Sequence, residues 1–369
     1  MKVHQVLITG ATGFVGSALA ASLLARGAHV TALSRNDPDG VRTVTAVVAA
    51  AQGCGLDING ALKRYLKVIN IDFAELETAL TSAELGGVTE VWHVAAEMSY
   101  SAHKLGLSFD TNVGNSTRLY ETVLRLAPLC RRFYYVSTAY VAGMSGGPVR
   151  EELHAKSRML NTYQVTKWST EQALHLLYLR CGLPVTVFRP TVVVGHRATG
   201  WAHRNGFGFY MFQDAMAALA KAGHKELALD LLGSTRPDLV PIDQLTADAC
   251  SLTLRQHAGR DFEVFHSAGG IHLPMREIVR IWGEVAGIDT CLGAPTTALE
   301  QKFDRAVGAN KPFARTEWQF ERAKLDAAIG CGQGIQPLSS EELYSLCSWY
   351  ADESIDVTDA REDAVAKAD

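Results

Sequence analysis

Residues 9–27 read TGATGFVGSALAASLLARG and join the end of an apolar strand, a turn with glycines three apart and the start of an apolar helix. In such a unit Gly10 permits the turn, Gly13 lets a ligand approach the backbone closely, and Gly16 lets the helix pack on the strand. The N–H groups at the helix start then face the diphosphate of a dinucleotide. A glycine triplet alone is weak evidence, but a preceding strand and a following helix are the context that this motif requires. The loop residues predicted to bind the dinucleotide are Gly10, Thr12, Gly13, Phe14, Val15 and Gly16.

Short apolar segments alternate with longer amphipathic ones from this loop to about residue 190. Because the segments are rich in Val, Ile and Tyr, they predict strands of repeated βαβ units. The fold class expected is α/β, a doubly wound parallel sheet of the Rossmann type with a smaller, interleaved C-terminal substrate lobe. The predicted strands are VLIT near 6, HVTAL near 29, LKVIN near 66, VWHVAA near 91, FYYVST near 133 and VTVFRP near 185.

The alternation breaks at GHRATGWAHRNGFGF, residues 195–209, a segment rich in turn residues. Helices are expected around 207–223 and 275–286, and DLVPID at 238 and DFEVFHS at 261 are expected to return to the sheet. The predicted organisation is a cofactor domain over 1–195 with returning segments near 238–268, a substrate lobe over 196–237 and 269–355, and a polar tail over 356–369.

The composition narrows the classes of function. The 369 residues are 47% hydrophobic and 20% charged, which is a globular composition. A net charge of -4 gives no basic surface for nucleic acid, which is not expected as a partner. No secretion signal or membrane-spanning stretch is recognised, and the seven cysteines lack metal-ligand spacing, so a cytoplasmic protein is expected. His93, His196 and His203 also lack that spacing, and no metal is predicted.

The second strand ends in ALSRND, where an NAD enzyme would offer a carboxylate to the ribose hydroxyls. Ser34 and Arg35 occupy that position, and an arginine there can bind a 2′-phosphate through two hydrogen bonds. This favours NADPH over NADH. The alternative is that Arg35 is a solvated loop residue and that Asp37 binds the ribose.

Two further strand ends are candidates for the cofactor site. Asp72 and Phe73, after the third strand, are expected to flank the adenine, with the carboxylate accepting from its amino group. Ala95 and Ala96, after the fourth strand, are small enough to let the cofactor ribose lie over the sheet edge. Tight core packing is the alternative for both alanines.

Residues 162–174 read TYQVTKWSTEQAL and predict a helix that places Tyr163 and Lys167 four residues apart on one face. A lysine beside a tyrosine is expected to lower the pKa of the phenol by favouring the phenolate. Taken alone, the pair is more often an ordinary solvated helix face than a catalytic site.

In the context of the glycine loop, YYVSTAYVAG at 134–143 and YQVTK at 163–167 resemble the extended short-chain dehydrogenase/reductases. The resemblance covers roughly residues 4–270. It implies that a hydroxyl after the fifth strand acts with Tyr163 and Lys167 on a carbonyl group. The family's register points to Thr138 as that hydroxyl, with Ser137 in reserve. Asn112 matches the family's catalytic asparagine and either relays protons through water or caps backbone groups in a bent helix.

Finer motifs resemble fatty acyl-CoA reductases and the thioester reductase domains of carrier-protein assembly lines. These are VSTAYVAG, FRPTVVVG at 188–195 and the TGW and NG of the following segment. The resemblance implies an NADPH-dependent reduction of a CoA-bound or carrier-bound acyl thioester. No adjoining adenylation, carrier or membrane-associated region is recognised, so CoA and a carrier protein are both candidates for the acyl donor. The alternatives are a ketone or aldehyde reductase, a nucleotide-sugar epimerase or dehydratase, and a non-catalytic NADP-binding protein.

The resemblance also implies where the substrates lie. Pro190 and Thr191, after the sixth predicted strand, are expected to border the nicotinamide amide. Trp201 and Phe207 are expected to offer apolar surface to an acyl chain. Arg197 and Arg204 are expected to meet the phosphates of CoA or a phosphopantetheine arm. The alternative for this segment is a solvated connection between the lobes. Nothing in the sequence decides the oligomeric state, for which a homodimer is one candidate.

Overall fold

The structure is a computed structural model that describes residues 3–203, 208–255, 261–270, 273–330 and 335–365, with backbone only after residue 352. The described strands are β1 Gln5–Thr9, β2 His29–Ser34, β3 Leu66–Asn70, β4 Glu90–His93, β5 Arg132–Val136, β6 Gly147–Val149, β7 Val185–Pro190, β8 Val192–Val194, β9 Glu226–Leu229, β10 Leu239–Pro241, β11 Phe262–Ser267, β12 Asp289–Leu292 and β13 Trp318–Phe320.

The helices begin with α1 at the end of the glycine loop. They are α1 Phe14–Ala25, α2 Val41–Gly53, α3 Asn59–Tyr65, α4 Leu76–Ala79, α5 Ser82–Leu85, α6 Leu105–Phe109, α7 Asn115–Leu126, α8 Thr162–Cys181, α9 Tyr210–Lys221, α10 Ile242–Leu254, α11 Met275–Ala286, α12 Ala298–Ala306, α13 Lys311–Arg315, α14 Ala323–Ile329 and α15 Ser340–Val365. None of the helices within the described residues is long and apolar enough to cross a membrane.

The chain divides into two compact units. The first comprises the described parts of Met1–Thr191, Ile242–Ala268 and Phe320–Gly334. The second comprises those of Val192–Pro241, Gly269–Gln319 and Ile335–Asp369.

The first unit is built on a parallel sheet with the strand order β11-β7-β5-β4-β1-β2-β3. The α/β prediction is confirmed, and the six strands predicted up to residue 190 are all in this sheet, together with the segment DFEVFHS as β11. Strand order reverses between β1 and β4, since the chain runs outward through β2 and β3 and then returns to build the other half. In open α/β sheets ligands bind at the carboxyl ends of the strands beside such a reversal.

Alternating strand residues cover the two faces of this sheet, as the pleat requires. On one face Val91, Phe133 and Tyr135 join a buried cluster with apolar residues of α7 and α8. On the other face Trp92 donates its indole N–H to Thr253, and Tyr134 donates its hydroxyl to the carbonyl of Leu252, both on α10. Helix α1 packs against α2 and α10 and is apolar around its whole circumference because it is buried on nearly all sides.

The second unit contains its own short sheets and an aromatic core. Strand β8 pairs with β10 and β9 pairs with β12, all parallel. Tyr210 of α9 stacks on Tyr350 of α15 with ring centroids 4.1 Å apart, and Phe212 stacks on Trp282 of α11 at 5.0 Å. The helices predicted around 207–223 and 275–286 are α9 and α11, although residues 204–207 lie outside the described part of the chain.

Several predicted boundaries were wrong. The segment DLVPID forms β10, which pairs with β8 in the second unit and does not join the main sheet. The domain boundary falls after Thr191, four residues before the one predicted, and residues 320–330, expected in the substrate lobe, belong to the first unit. Their α14 packs on β11 and α10. The polar tail was expected as a loose segment or an exposed helix, and α15 continues through Val365, across most of it.

We expect Gly16→Ala to destabilise the cofactor-free protein, because a Cβ there would lie 2.1 Å from the carbonyl oxygen of Gly10. Overpacking of this kind typically costs about 1–3 kcal/mol. The measurement is the free energy of unfolding in urea. Gly60→Ala in α3 is the matched control, since a Cβ there meets no atom within 4 Å. Equal stability of the two variants would contradict the steric role of Gly16.

Candidate active site

The glycine loop brings the end of β1 against the end of β4. Gly10 has a φ of +75°, and a Cβ on it would lie 2.7 Å from the amide nitrogen of Ala95. Gly16 in the first turn of α1 sits against the carbonyl of Gly10. Both positions therefore admit only glycine for reasons of packing within the protein.

Gly13 is different, because a Cβ on it would meet only the Gly10 carbonyl oxygen, at an ordinary 3.5 Å. Gly13 caps α1 without a side-chain hydrogen bond, and the first turn of α1 carries no acidic residue. The N–H groups of a helix start, with no acidic residue in the first turn, suit an anion such as a diphosphate. The residues present thus fit the dinucleotide predicted for this loop.

Helix α8 carries the predicted catalytic pair. It begins where the Asn161 side chain accepts a hydrogen bond from the amide of Gln164, and it ends at Gly182 in the left-handed conformation. Lys167 is buried and its Nζ donates to the carbonyl oxygen of Val136, the last residue of β5, at 2.7 Å. The same ammonium lies 4.8 Å from the ring centroid of Tyr135 and 6.0 Å from that of Tyr163.

The two candidate hydroxyls after β5 have different partners. Ser137 donates to the Glu171 carboxylate with 2.5 Å between the oxygens, so its hydroxyl is engaged inside the core. Thr138 hydrogen-bonds with the hydroxyl of Tyr163. It also accepts from the amide of Tyr140 at 3.4 Å as the cap of the short helical turn Ala139–Ala142. Extended residues alternate in direction, and this alternation presents Thr138 to Tyr163.

Electrostatics at the pair differ from the sequence prediction. Burial raises the pKa of Tyr163, the neighbouring Tyr100 adds to the increase, and the hydrogen bond with Thr138 opposes it. The predicted lowering by Lys167 was wrong because desolvation of the phenolate dominates. Burial lowers the pKa of Lys167 to about 7, against the opposing effect of the Glu171 charge. The phenol is therefore a protonated donor at neutral pH.

Asn112 lies in a π-helical turn, Asp110–Gly114, between α6 and α7. Its side-chain oxygen accepts from the amide of Glu97 at 2.7 Å, and its side-chain nitrogen donates to the carbonyl of Glu97 and to Thr166 Oγ1, both at 2.9 Å. Of the two roles left open by the sequence, these bonds favour the binding of backbone groups beside a bent helix. They tie the segment after β4 to α8.

The end of β2 contains a second cation that sequence reasoning missed. Arg35 is exposed, and Arg42 in the first turn of α2 donates to the carbonyl oxygen of Arg35 at 2.6 Å. The two arginines are seven residues apart, but the chain between them turns before α2 begins, and Asn36 in this turn has a φ of +55°. A helical pattern in the sequence therefore does not reveal their proximity. The guanidinium group of Arg42 therefore lies beside the backbone of Arg35, so two arginines are available where a 2′-phosphate was predicted.

The alternative ribose ligand, Asp37, is used within the protein. Its buried carboxylate accepts from the amides of Arg42 and Thr43 at 3.0 Å and from the Thr43 hydroxyl at 2.6 Å. Burial raises the pKa of Asp37, but the hydrogen bonds from Thr43, Arg42 and Ser34 outweigh it, so the pKa lies below its ordinary value. Asp37 is the anion at the start of α2.

The other predicted cofactor residues lie at the carboxyl ends of neighbouring strands. Asp72, exposed after β3, caps a short turn by accepting from the amide of Ala74 at 3.0 Å, and Phe73 stacks on His93 at 6.3 Å. Ala95 and Ala96 follow β4 and are half-buried. Pro190, the last residue of β7, and Thr191 directly after it are both buried.

A buried polar relay beneath the loop was also missed. Thr9 Oγ1 accepts from the amides of Val94 and Ala95 at 3.2 Å and lies 2.7 Å from Nδ1 of His93. His93 Nε2 lies 2.9 Å from the hydroxyl of Ser116. Ser116 in turn donates to the carbonyl of Asn112 at 2.5 Å. The relay connects β1, which carries the glycine loop, to the π-helical turn.

Residues predicted to bind the acyl group have a mixed outcome. Arg197 pairs with Glu342 at 3.0 Å and donates to the carbonyl of Gln336 at 2.6 Å, so a phosphate would compete with these partners, and the predicted phosphate contact stays a prediction. Trp201 is half-buried and accepts a backbone hydrogen bond from His196 at 2.8 Å. Arg204 and Phe207 lie outside the described residues. Across the residues with described side chains, no group of His, Cys, Asp or Glu is arranged to hold a metal ion.

A glycine loop at the reversal of a parallel sheet, with Thr138, Tyr163 and Lys167 near its carboxyl edge, is the arrangement of the extended short-chain dehydrogenase/reductase class. Within that class, the chain belongs to the family described as male sterility protein, whose family model matches residues 8–247. The predicted kinship with the thioester reductase and fatty acyl-CoA reductase group is confirmed.

Known proteins agree with this assignment. The chain is 30% identical over 262 residues to the non-ribosomal peptide synthetase CmlP of Streptomyces venezuelae, which covers 68% of this chain and 25% of the synthetase. The fold is similar to the terminal R domain from the myxalamid PKS-NRPS biosynthetic pathway, with a TM-score of 0.75, 19% identity and coverage of 97% and 92% of the two chains. It is also similar to UDP-glucuronic acid 4-epimerase from Bacillus cereus in complex with NAD, with a TM-score of 0.65, 18% identity and coverage of 95% and 97%.

We expect His93 to remain neutral with its proton on Nε2. Thr9 Oγ1 already accepts from two amides, so its own proton goes to Nδ1, and Ser116 donates to Asn112 and so accepts from Nε2. Burial, reinforced by the charge of Lys167, lowers the pKa of His93 to about 3. Nitrogen-15 NMR of the imidazole should show one tautomer and constant shifts from about pH 5 to 8, the range in which histidine usually titrates. A titration in that range, or a proton on Nδ1, would contradict the relay.

Proposed function

We propose that the chain is an NADPH-dependent reductase that transfers hydride to the carbonyl carbon of an acyl thioester carried by CoA or a carrier protein. The observation that carries this proposal is that Thr138 follows the end of β5 beside Tyr163, with Lys167 of the same helix held by the carbonyl of Val136. The kinship with thioester reductases supports the choice of a thioester as the substrate.

The residues of the site suit the charge that develops in this reaction. NADPH, when bound, supplies the hydride. As the carbonyl carbon accepts it, negative charge grows on the oxygen, and donors already aligned with that oxygen stabilise the transition state most. Thr138 and Tyr163 provide these donors, and the protonated phenol of Tyr163 gives its proton to the oxygen.

The product of this step is a hemithioacetal, which breaks its C–S bond to release a thiol and an aldehyde. A second hydride and a second proton convert the aldehyde to an alcohol. Release of the thiol distinguishes a thioester substrate from a ketone or a free aldehyde, which accept a single hydride and leave no thiol.

Lys167 supports this chemistry through its charge and its fixed position. Its Nζ is held by the Val136 carbonyl between the rings of Tyr135 and Tyr163. From that position the ammonium can bond the nicotinamide ribose and stabilise the phenolate left on Tyr163 after proton transfer. This requires the charged form of the lysine.

The preference for NADPH rests on the end of β2. Arg35 and Arg42 supply two guanidinium groups, and Asp37, the alternative ribose ligand, is buried and already bonded to the start of α2. An enzyme that selects NAD needs a carboxylate free for the ribose hydroxyls. Asp37 cannot serve without giving up its bonds to Thr43 and Arg42.

The carrier of the acyl group is proposed from kinship. The relative in Streptomyces venezuelae is a non-ribosomal peptide synthetase, and the structurally similar R domain comes from a PKS-NRPS pathway. Assembly lines of this kind hold their intermediates as thioesters on a phosphopantetheine arm. A carrier-bound acyl group is therefore the first substrate to test, with the acyl-CoA as its soluble counterpart.

We expect the purified protein to oxidise NADPH and release free thiol in the presence of an acyl thioester, and Tyr163→Phe and Lys167→Ala each to lower kcat by about a hundredfold or more, as loss of a general acid does. The measurements are loss of NADPH absorbance and titration of the thiol. Tyr65→Phe, on α3 before β3, is the matched control and should keep the wild-type rate.

Three outcomes would contradict the proposal. Reduction of ketones without any thiol release would leave a carbonyl reductase. Interconversion of UDP-sugars without net oxidation of NADPH would favour the epimerase. Wild-type rates in both Tyr163→Phe and Lys167→Ala would rule out the proposed acid.

We expect Arg35→Ala and Arg42→Ala each to weaken NADPH binding about tenfold or more, since a hydrogen bond to a charged group is worth about 1.5–3 kcal/mol. NADH affinity should change little, because NADH lacks the 2′-phosphate. Calorimetry with both cofactors measures this, and Arg64→Ala, an exposed cation on α3, is the control. An equal loss for the two cofactors would mean that the arginines support the loop and do not bind the phosphate.

A further inference from the structure

Helix α8 carries a third charged residue on the face of the catalytic pair. Tyr163, Lys167 and Glu171 follow one another at intervals of four and share that face. Each contacts one of three consecutive residues at the end of β5. Thr138 bonds to Tyr163, the Val136 carbonyl accepts from Lys167, and Ser137 donates to Glu171.

Glu171 is fully buried, and its charge is matched by an equally buried arginine of β7. Arg189 Nε lies 2.9 Å from one carboxylate oxygen of Glu171, and its Nη2 lies 2.6 Å from the other. This is a two-point contact with fixed geometry. The remaining nitrogen, Nη1, donates to the carbonyl of Glu152 at 2.9 Å and to Nε2 of His154 at 3.1 Å.

The pair connects three of the elements that bear the proposed site, which are α8, the end of β5 and β7. Glu171 lies one turn beyond Lys167, Ser137 directly precedes Thr138, and Arg189 directly precedes Pro190 and Thr191. A shift of the Glu171 carboxylate would therefore displace Thr138, Lys167 and the end of β7 together. The side chain itself is out of reach of any substrate, since it is enclosed.

We infer that Glu171, clamped by Arg189 and Ser137, is a positioning residue that holds Lys167 in its charged form and aligns the end of β5 with α8. This inference rests on the proposed function. Its physical basis is that the buried carboxylate of Glu171, which pairs with Arg189, lies one helical turn from the buried Lys167, and charges interact strongly in such water-poor surroundings. Without the carboxylate, the lysine loses the nearby anion that favours its proton.

The groups around this cluster limit what else can set the charge of Lys167. Those facing Lys167 are Tyr163 and Glu171 on α8, Tyr135 on β5 and His93 on β4. His154 and His266 face Arg189. Burial lowers the pKa of both histidines. Among these neighbours of Lys167, Glu171 is the acidic side chain, so it is the group whose charge favours the protonated lysine.

The decisive variant is Glu171→Gln, which keeps the size of the side chain and its ability to accept from Ser137 but removes the charge. We expect kcat at pH 7 to fall about tenfold or more and the high-pH limb of the kcat profile to move about one pH unit or more to lower pH, the size of shift that a neighbouring charge produces. The limb moves to lower pH because activity needs the protonated form of Lys167, and without the Glu171 charge the lysine loses its proton at a lower pH.

Two further variants separate positioning from folding. Glu171→Gln/Arg189→Met removes both charges, so no buried ion is left without a partner, and it should fold and still show the shifted pH limb. Glu90→Gln is the matched control, since Glu90 is equally buried and pairs with Arg131, but it lies at the opposite end of the sheet, at the start of β4. It should retain the wild-type pH profile.

NADPH affinity, measured by calorimetry between pH 6 and 8, keeps this test independent of turnover. In Glu171→Gln the loss of affinity with rising pH should begin at lower pH than in wild type. If the wild type binds NADPH but reduces no thioester, the proposed function fails while this comparison still decides the role of Glu171. An unshifted profile in folded Glu171→Gln, an equal shift in Glu90→Gln, or failure of both Glu171 variants to fold would overturn the inference and leave a purely structural ion pair.

Discussion

The close approach of Gly16 to the carbonyl of Gly10 is the constraint on which the first unit depends. A Cβ at either glycine would collide with backbone, of Gly10 in one case and of Ala95 in the other. Because these contacts are made by backbone atoms, no side-chain adjustment can relieve them. They set the distance from α1 to the sheet and bring the ends of β1 and β4 together at the reversal of strand order. The start of α1 consequently lies at the edge of the sheet where β5 and β7 end and carry further candidate site residues.

Around this edge the core carries an unusual amount of polarity. Thr9, His93 and Ser116 form one buried relay, and Ser137, Glu171 and Arg189 form another. Removing one partner of a buried ion pair usually costs about 3–5 kcal/mol, while an apolar replacement of both is often neutral. Stability alone therefore does not require these groups. A site that must hold an ammonium and a phenol in fixed positions does require such groups, because buried hydrogen bonds fix the direction of a side chain and apolar contacts do not.

Sequence reasoning predicted the parts of the molecule that periodicity and local motifs determine. The glycine loop, the six strands up to residue 190, β11 and the helical face of Tyr163 and Lys167 all depend on neighbours within one element or one turn. The role of β10 could not be predicted, since its three residues read as a strand in either partner sheet. Arg42, His93 and Glu171 were missed because their partners are distant in sequence or on another element. The direction of the Tyr163 pKa was wrong because burial, which the sequence does not reveal, outweighs the nearby lysine.

The choice between Ser137 and Thr138 shows how two periods together specify a site. A strand turns successive side chains to opposite sides, and a helix returns to the same side every four residues. When β5 ends beside α8, only one register lets both patterns match, with Ser137 opposite Glu171 and Thr138 opposite Tyr163. A hydroxyl engaged by a buried carboxylate is unavailable for a substrate, so Thr138 remains the donor. The family register suggested the same residue, and the carboxylate supplies a physical reason: Glu171 binds the hydroxyl of Ser137 and leaves Thr138 as the candidate.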